Sequence, residues 1–386
     1  MALTVNLPSL SEHSSTAQYA ITFACVAALA WYINTTLSAD RPIQGFPIVA
    51  LSEQGLNAKD SWFTKGRETI DKGLATYDRS FQVLTGTGPK IVLPNRFAEE
   101  VKERPELDFS KGIAKDFVGD CPGFGAFKVI EFNGHHDTFI ADVVRTKLTQ
   151  SPGLVTNDLI DETTRAVHDL FGEEGEWRQE PLKLPIQRLV ARLSSRVFPG
   201  EGLCRNERWL QIAIEYTVDA FIATRVLRVV PALLRPVLHW IIPQCRKLRK
   251  DVSDAQLLIG PEVEMRKNRA REALAAEKKP PKVADAIGCM YEVARERRHD
   301  VNYIDKQLGL TLAAIHTTSE ALASALLDVM GHGEVLESLR REVVEVIGQH
   351  GWWKQALYKL RLMDSVLRES QRCHEMNYSM CGSHLR

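Results

Sequence analysis

The sequence lacks the cysteine patterns that mark zinc sites and disulfide frameworks. Its 7 cysteines are scattered and odd in number, and none stands in a CxxC pair or in Cys/His zinc spacing. An excess of charge is also absent, because 49 Lys and Arg residues balance 49 Asp and Glu residues. No global field therefore draws the molecule to nucleic acid, and we expect no nucleic-acid partner. The cysteine usage predicts a reducing compartment.

One long apolar run lies near the N-terminus, at residues 17–37. At about 1.5 Å per residue it is long enough to cross a bilayer as a helix. No Lys or Arg precedes it, whereas basic residues such as Arg41 follow it, which places the remainder in the cytosol. The alternative is a cleaved signal peptide, although the basic segment that opens such peptides is missing. We expect a lumenal segment 1–16, one transmembrane helix 17–37 and a proline-rich elbow 38–48.

The rest of the sequence predicts a mainly α fold with a small β-sheet. Two strand-forming runs, Phe81–Leu84 and Lys90–Leu93, flank a Thr-Gly-Thr-Gly-Pro turn and predict a hairpin. Apolar residues at helical spacing predict helices over the following ranges. These are Phe97–Glu103, Asp158–Phe171, Leu184–Val197, Asn206–Leu227, Asp254–Glu277, Tyr303–Met330, Glu334–Ile347 and Lys354–Arg372. We expect one domain over residues 49–372, followed by a tail at 373–386.

The helix predicted over Tyr303–Met330 is apolar almost all the way round, which is typical of a helix buried in the middle of a large domain. Two small residues and two hydroxyl residues interrupt the pattern at mid-helix: Ala313, Ala314, Thr317 and Thr318. A mid-helix threonine can donate to the carbonyl four residues back, here Ala313. This predicts a shallow polar notch in an apolar wall. The alternative is that Thr317 only satisfies itself on its own backbone while His316 finds a partner in the core.

A second feature is the pair of charged residues Glu369 and Arg372, three positions apart on the last predicted helix. On a helical wheel Glu369 falls on the arc of Leu362 and Val366, so its carboxylate is predicted to point at or near the core. A buried carboxylate needs a partner, and Arg372 is the expected bidentate donor. The alternative is a solvated surface pair.

Together these stretches resemble cytochrome P450 monooxygenases. Ala313 to Thr318 (AAIHTT) resembles the small-small-x-acid-Thr-Thr motif of the family's central helix, and Glu369 to Arg372 (ESQR) resembles its E-x-x-R helix. The order and separation of the motifs match, as do the anchor, the elbow and the hairpin. The stretch MDSVLRESQR and residues 227–249 are most similar to fungal microsomal members that act on terpenoid or indole-terpenoid skeletons.

The resemblance implies a heme enzyme that uses O2 to hydroxylate a small hydrophobic substrate, with electrons from an NADPH-dependent reductase at the endoplasmic reticulum membrane. Thr317, beside Thr318, would hydrogen-bond the bound dioxygen and relay protons, and His316 occupies the acidic position. Ala313 and Ala314 would leave room above the porphyrin. The resemblance also implies a residue that contacts a heme propionate, for which Arg145 is a weak candidate. It further implies that Glu369 and Arg372 form a structural ion pair that braces the core on the heme side.

The chain departs from the family where the iron ligand is expected. Such enzymes need a cysteine thiolate on iron, carried in an F-x-x-G-x-x-x-C-x-G loop well beyond E-x-x-R, and this sequence contains no such loop. The stretch from Phe117 through Cys121 mimics its composition but precedes the central helix, Cys373 is too close to Arg372, and Cys381-Gly382 is followed by Ser. We therefore name no metal ligand and expect a C-terminally truncated form that is inactive as written.

Two alternatives come from other classes. One is a non-enzymatic, membrane-tethered helical protein that binds a hydrophobic ligand or a partner. The other is a metal protein using His135, His136 and Asp137, which is poorly supported because adjacent residues seldom converge on one ion. Separately, Leu238–Ile242 (LHWII) beside the basic run CRKLRK predicts an apolar wedge with a cationic rim at a membrane, the alternative being a solvated basic helix face.

Overall fold

The computed structural model describes most of the chain between residues 41 and 374. The described ranges are 41–51, 55–85, 88–102, 116–130, 139–149, 152–173, 181–230, 234–278 and 285–374, with a few single residues outside them. Contacts divide the chain into two compact units. The described part of the first unit ends at Val101, and the second unit begins at Lys102.

The first unit contains a three-stranded sheet of β1 (Ile48–Val49), β2 (Phe81–Thr85) and β3 (Gly88–Val92), in that order. Strand β1 is parallel to β2, and β2 is antiparallel to β3, with Phe81 opposite Val92. The predicted hairpin is confirmed, with strand ends shifted by one or two residues. Helix α1 (Gly55–Thr76), which the sequence reading did not predict, packs against β2.

The side chain of Gln82 fixes the proline-rich segment to this sheet. It is buried, accepts a hydrogen bond from the Ile43 amide at 2.8 Å and donates to the carbonyls of Ile43 and Phe46 at 2.8 and 2.6 Å. A buried amide with several backbone partners holds a segment that has no regular hydrogen bonds of its own. On α1, Gly73 allows the close approach of Phe81, since an added Cβ would lie 2.3 Å from its ring.

The remaining described elements are almost all helical. They are a 3₁₀ turn Asn95–Phe97, α2 Ala98–Lys102, a 3₁₀ segment Gly125–Ile130, α3 Phe139–Asp142, a π segment Val143–Leu148, α4 Pro152–Phe171, α5 Lys183–Val197, α6 Glu207–Val229, α7 Arg235–Leu238, α8 Pro243–Ala275, α9 Ala286–Arg297, α10 Tyr303–Met330, α11 Gly333–His350, α12 Lys354–Leu357 and α13 Arg361–Cys373. The prediction of a mainly α fold with a small sheet is confirmed.

Most predicted helices lie where the apolar spacing placed them. Helix α10 has the predicted bounds, and α6 begins after Asn206, whose side chain accepts from the Trp209 amide as an N-cap. The prediction of one helix over Lys354–Arg372 is wrong, because α12 ends at Leu357 and α13 begins at Arg361. The carboxylate of Glu342 on α11 accepts from the Leu362 and Met363 amides at 2.8 and 3.0 Å, and this cap fixes the start of α13.

The core of the second unit surrounds α6 and the first half of α10. Trp209 is fully buried and donates from its indole to Ser195 on α5 at 2.9 Å. Leu308 and Ile315 on α10 are fully buried as well. Helix α10 packs against α5, α6, α8 and the 3₁₀ segment Gly125–Ile130. It is therefore the central helix of this unit, as the apolar pattern predicts.

The second half of α10 is not buried all the way round, and that part of the prediction is wrong. Leu326, Leu327 and Met330 are 38%, 58% and 59% exposed. Since apolar side chains are found inside and outside proteins alike, an apolar pattern does not decide how many neighbours cover a helix. Here α11 and α13 contact α10 together with the elements that bury its first half.

One described helix, α10, is long and apolar enough to cross a membrane by length and composition. Its first half belongs to the core just described. The predicted anchor at 17–37 lies outside the described residues except for Leu29, which is in a helical position.

Candidate functional site

The turn of α10 that carries Ala313 to Thr318 forms an open face. Ala313 and Thr318 are exposed, and Ala314 and Thr317 are half-buried. The Thr317 hydroxyl donates to the Ala313 carbonyl at 2.7 Å and lies 3.3 Å from the Ala314 carbonyl. The predicted back-bond to Ala313 is therefore present. Small side chains and a hydroxyl bonded to its own helix leave a shallow surface that a flat ligand could approach.

His316 points to a different partner from that of Thr317. Its Nε2 lies 2.9 Å from the carbonyl oxygen of Ile214, in the middle of α6, and the side chain is half-buried. Because a carbonyl only accepts, Nε2 carries the proton of this hydrogen bond. The roles predicted for Thr317, Thr318 and His316 in oxygen chemistry stay predictions.

Glu369 and Arg372 form the predicted bidentate pair. Nε of Arg372 donates to Oε2 at 2.8 Å, and its second nitrogen donates to Oε1 at 2.6 Å. The hydrogen bond from Arg372 holds the pKa of Glu369 below its usual value. However, the two side chains are 62% and 70% exposed, so the prediction that the carboxylate points at the core is wrong.

The contact that sets the rotation of α13 is made one residue further on. Ser370 is the buried residue of α13, and its hydroxyl hydrogen-bonds Asp328 on α10, as does His374 at 2.9 Å. These two bonds lower the pKa of Asp328. With Ser370 facing α10, Glu369 is turned outward.

Asp328 lies 11 residues beyond Thr317, which is about 16 Å along the helix. Helix α13 therefore contacts α10 well away from the open face that carries Thr317.

Arg145 lies on the π segment Val143–Leu148 and is exposed. This segment packs against α9, where Lys147 forms ion pairs with Glu292 and Glu296 at 3.3 and 3.0 Å. The contact predicted between Arg145 and a heme propionate stays a prediction.

A heme-thiolate site needs an ionised cysteine, and the described cysteines do not supply one at the open face. Burial raises the pKa of Cys121 and Cys204, and it raises the pKa of Cys245 to about 11. Each of these thiols therefore keeps its proton at neutral pH. Cys289 is buried in the core, and Cys373 lies in the last turn of α13 beside Glu369. The described residues fit the oxygen side of a heme but not its iron ligand.

The described residues contain no cluster of three or more His, Cys, Asp or Glu side chains suited to a metal ion. The metal site considered at His135, His136 and Asp137 falls outside them.

The predicted wedge near residue 240 has apolar side chains directed outward. Val237, Trp240 and Ile241 are 67%, 56% and 66% exposed. Arg249 stacks over the Trp240 ring at 4.6 Å and donates to the carbonyls of His239 and Trp240 at 2.9 and 3.1 Å. Burial, together with the Arg249 charge, lowers the pKa of His239. The guanidinium thereby holds the loop while the apolar side chains stay in solvent.

The sequence reading missed one buried polar cluster. Glu162 on α4 is fully buried and accepts hydrogen bonds from Arg192 and Arg205 at 2.6–2.9 Å. Burial alone would raise its pKa, but these hydrogen bonds outweigh burial and lower it. The partners are 30 and 43 positions away in sequence, so no local spacing could have indicated the cluster.

Comparison with known proteins agrees with the resemblance noted in the sequence. The cytochrome P450 family model matches residues 75–380. The cytochrome P450 monooxygenase bsc2 of Alternaria brassicicola is 39% identical over 94% of this chain and 68% of its own length. The monooxygenase ptmU of Penicillium ochrochloron is 34% identical over 90% of this chain and 68% of its own length.

A third relative, dihydromonacolin L monooxygenase mokC of Monascus pilosus, is 33% identical over 81% of this chain and 57% of its own length. The chain thus spans about two thirds or less of the length of these relatives. The family match and the fungal relatives show that this chain belongs to the cytochrome P450 family of heme-dependent monooxygenases.

Proposed function

We propose that this protein is a monooxygenase of fungal secondary metabolism that hydroxylates a hydrophobic, terpenoid-like substrate with O2 and electrons from an NADPH-dependent reductase. The observation that carries the proposal is the open turn of α10, where Thr317 stands among small residues in a chain of this family. The terpenoid class rests on the sequence resemblance described above. Among the relatives, one is named for a specific substrate, dihydromonacolin L.

A bound heme supplies the oxygen activation, and the chain supplies the surface it meets. Ala313 and Ala314 have no bulk that would block a flat ring at this turn. The Thr317 hydroxyl, which donates to the Ala313 carbonyl, can still accept a hydrogen bond and so hold a water molecule there. Thr318 is exposed beside it. Arg145, Glu369 and Arg372 keep the supporting roles inferred from the family motifs.

We propose in addition that the 386 residues as printed do not form the heme-thiolate site. The support is the missing F-x-x-G-x-x-x-C-x-G loop and the burial of Cys204, Cys245 and Cys289 within the helical core. The CO-bound, reduced absorption spectrum of the purified chain tests this, and we expect no thiolate-type Soret band. Such a band would show that one of these cysteines ligates iron and would refute the statement.

A chimera tests the monooxygenase proposal itself. Residues after Arg372 are replaced by the corresponding C-terminal part of the Alternaria bsc2 relative, and we expect heme uptake, a thiolate-type band and oxidation of hydrophobic terpenoid substrates. Thr317→Ala in this chimera should lower product formed per NADPH consumed, whereas Thr317→Ser should keep most of it. A chimera that binds heme yet shifts its spectrum with no hydrophobic substrate would count against the proposed activity.

A second candidate function is a non-enzymatic, membrane-tethered protein that binds a hydrophobic ligand or a partner. The observation that favours it is the open apolar second half of α10, with Leu327 and Met330 exposed. Fluorescent fatty-acid or sterol probes added to the 386-residue chain separate the two. Saturable binding without heme uptake would favour this second function.

For location, we propose a single-pass protein of the endoplasmic reticulum membrane, anchored through residues 17–37 with its domain in the cytosol. Support comes from the charge asymmetry around that run and from Val237, Trp240 and Ile241, which are exposed beside basic residues. Protease added to intact microsomes should digest the domain. Full protection would instead place the domain in the lumen.

A further inference from the structure

The histidine that precedes Thr317 stands where relatives of this family are expected to carry an acidic residue. Its Nε2 lies 2.9 Å from the Ile214 carbonyl oxygen. We propose that His316 is a positioning residue that ties α10 to α6 at the turn carrying Thr317. This inference rests on the proposed function, since it concerns the oxygen-side turn of a monooxygenase.

The identity of the partner atom explains the residue type. Ile214 lies inside α6, which runs from Glu207 to Val229, and its carbonyl oxygen can only accept hydrogen bonds. A carboxylate also only accepts, so Asp or Glu in ionised form would face this oxygen lone pair to lone pair. Histidine donates from Nε2 when it is protonated and also in its neutral Nε2–H tautomer. A side chain that donates therefore suits position 316, whereas an ionised acid would find no hydrogen bond at this carbonyl.

The direction of the side chain supports a positioning role. On a helix with 3.6 residues per turn, His316 and Thr317 leave the axis about 100° apart. His316 turns to α6, whereas Thr317 lies on the open face with exposed Ala313 and Thr318. Because Nε2–H is committed to Ile214, only Nδ1 of His316 could exchange a proton with a ligand. The bond instead fixes one turn of α6 against the turn that carries Thr317.

Charged groups on the same and the neighbouring helices have partners of their own. On α6, Glu215 and Asp219 pair with Lys247 of α8 at 3.5 and 2.7 Å. On α10, Glu320 pairs with Lys183 of α5 at 3.4 Å. Glu320 lies four positions beyond His316, and Glu215 directly follows Ile214.

Substitutions of His316 test the positioning role, and hydrogen exchange of the α6 amides reads them out in the 386-residue chain without heme. His316→Gln keeps an N–H donor at a similar reach and cannot titrate, so α6 should exchange as in the unmodified chain. His316→Ala removes the donor, and the amides around Ile214 should exchange about 10-fold faster, as expected for one lost hydrogen bond to a half-buried group. His350→Gln, the same change at an exposed histidine of α11, is the matched control.

His316→Glu gives the sharpest readout. Its ionised carboxylate cannot donate, so the α6 amides should lose protection at pH 7, whereas the protonated acid can donate and should restore that protection toward pH 4, with rates compared at each pH to those of an unstructured chain. The unmodified chain and His316→Gln should show no such recovery on acidification. A side chain that merely filled space would not produce this pH dependence.

The proton position is tested directly by ¹⁵N NMR of the labelled imidazole, which should show a protonated Nε2 from pH 5 to 8. A neutral His316 with its proton on Nδ1, or a His316→Gln chain whose α6 exchanges as fast as His316→Ala, would overturn the inference. None of these measurements depends on heme or on turnover. Their failure is thus distinct from failure of the chimera to bind heme or to oxidise a substrate.

Discussion

The carboxylates of Glu162 and Glu369 each accept hydrogen bonds from arginine, but the first is fully buried and the second is mostly exposed. Both have a lowered pKa because of arginine hydrogen bonds, and for Glu162 these bonds must first overcome burial. Ion pairs in water contribute little because solvent screens them. A buried pair leaves an uncompensated charge when one partner is removed. The comparison teaches that only the first pair should matter to the stability of this chain.

The largest expected effect tests the buried pair. Glu162→Gln should lower the free energy of unfolding by roughly 3 kcal/mol, the low end for a broken buried ion pair, because buried Arg192 would keep only Asp169 as a carboxylate partner and Arg205 would lose Glu162. Urea unfolding followed by circular dichroism measures it. The control is Glu173→Gln, an exposed glutamate just beyond α4. A change no larger than that of the control would break the comparison.

The same pair predicts a pH dependence at the acidic end. The folded-state pKa of Glu162 is lowered, so its contribution is present above the ordinary glutamate pKa and is lost as the pH falls through the folded value. The Glu162→Gln chain should lack this part of the acid-induced loss of stability. Equal acid sensitivity of both chains would contradict the prediction.

A buried carboxyl that accepts no hydrogen bond from arginine should show the opposite dependence of stability on pH. Asp251 on α8 is buried, and this burial together with the Asp219 charge raises its pKa to about 6. The folded protein therefore holds this proton more tightly than the unfolded chain, and stability falls as the pH rises from 3.8 through about 6. Asp251→Asn should stabilise the chain at pH 7 by roughly 2 kcal/mol, and little at pH 4.

Thermal unfolding at both pH values measures this difference. Asp254→Asn, at a half-buried position on the same helix where the carboxylate is paired with Arg208, is the control and should not stabilise at pH 7. A destabilising effect of Asp251→Asn at pH 7 would show that its carboxylate is held by a favourable partner.

A smaller effect concerns how α13 begins. Glu342→Ala removes the carboxylate that accepts from the Leu362 and Met363 amides and should cost about 1 kcal/mol, as the loss of a helix cap does. Glu345→Ala on the exposed side of the same helix α11 is matched in residue type and helix propensity. Hydrogen exchange should quicken in α13 only for Glu342→Ala. If both substitutions changed stability and hydrogen exchange equally, the cap by Glu342 would not contribute to the stability of α13.

The smallest effect is expected at the exposed pair. Glu369→Gln should leave the urea midpoint of the 386-residue chain unchanged within error, since Glu369 and Arg372 are both mostly in solvent. In the heme-binding chimera the same substitution should reduce heme retention if the family's bracing role applies. If Glu369→Gln destabilised the 386-residue chain as much as Glu162→Gln does, the exposed pair would matter as much as the buried one and the comparison would be wrong.

Helix positions could be read from the sequence because they depend on local periodicity. The bounds of α10 follow from the spacing of apolar residues. Helix α1 was not predicted because Gly55–Thr76 has a weak apolar pattern and a non-helical residue, Lys65, inside it. The break before α13 was not predicted because Glu342, which caps α13, is on another helix.

The candidate site divides in the same way. The sequence predicted the bond from Thr317 to Ala313 and the bidentate pair of Glu369 with Arg372, since both join residues within about one helical turn. It could not predict that His316 donates to Ile214, 102 positions away.

By itself, the sequence determined the family, the helical class and the residues of the two motifs, because each depends on residue type and short spacing. Only the tertiary structure decided which faces are covered. Ser370 rather than Glu369 faces α10 because Asp328 binds it, and Glu162 is buried because two arginines from distant segments meet there. Burial is a property of neighbours in space, and neighbours that are far apart in sequence leave no local pattern.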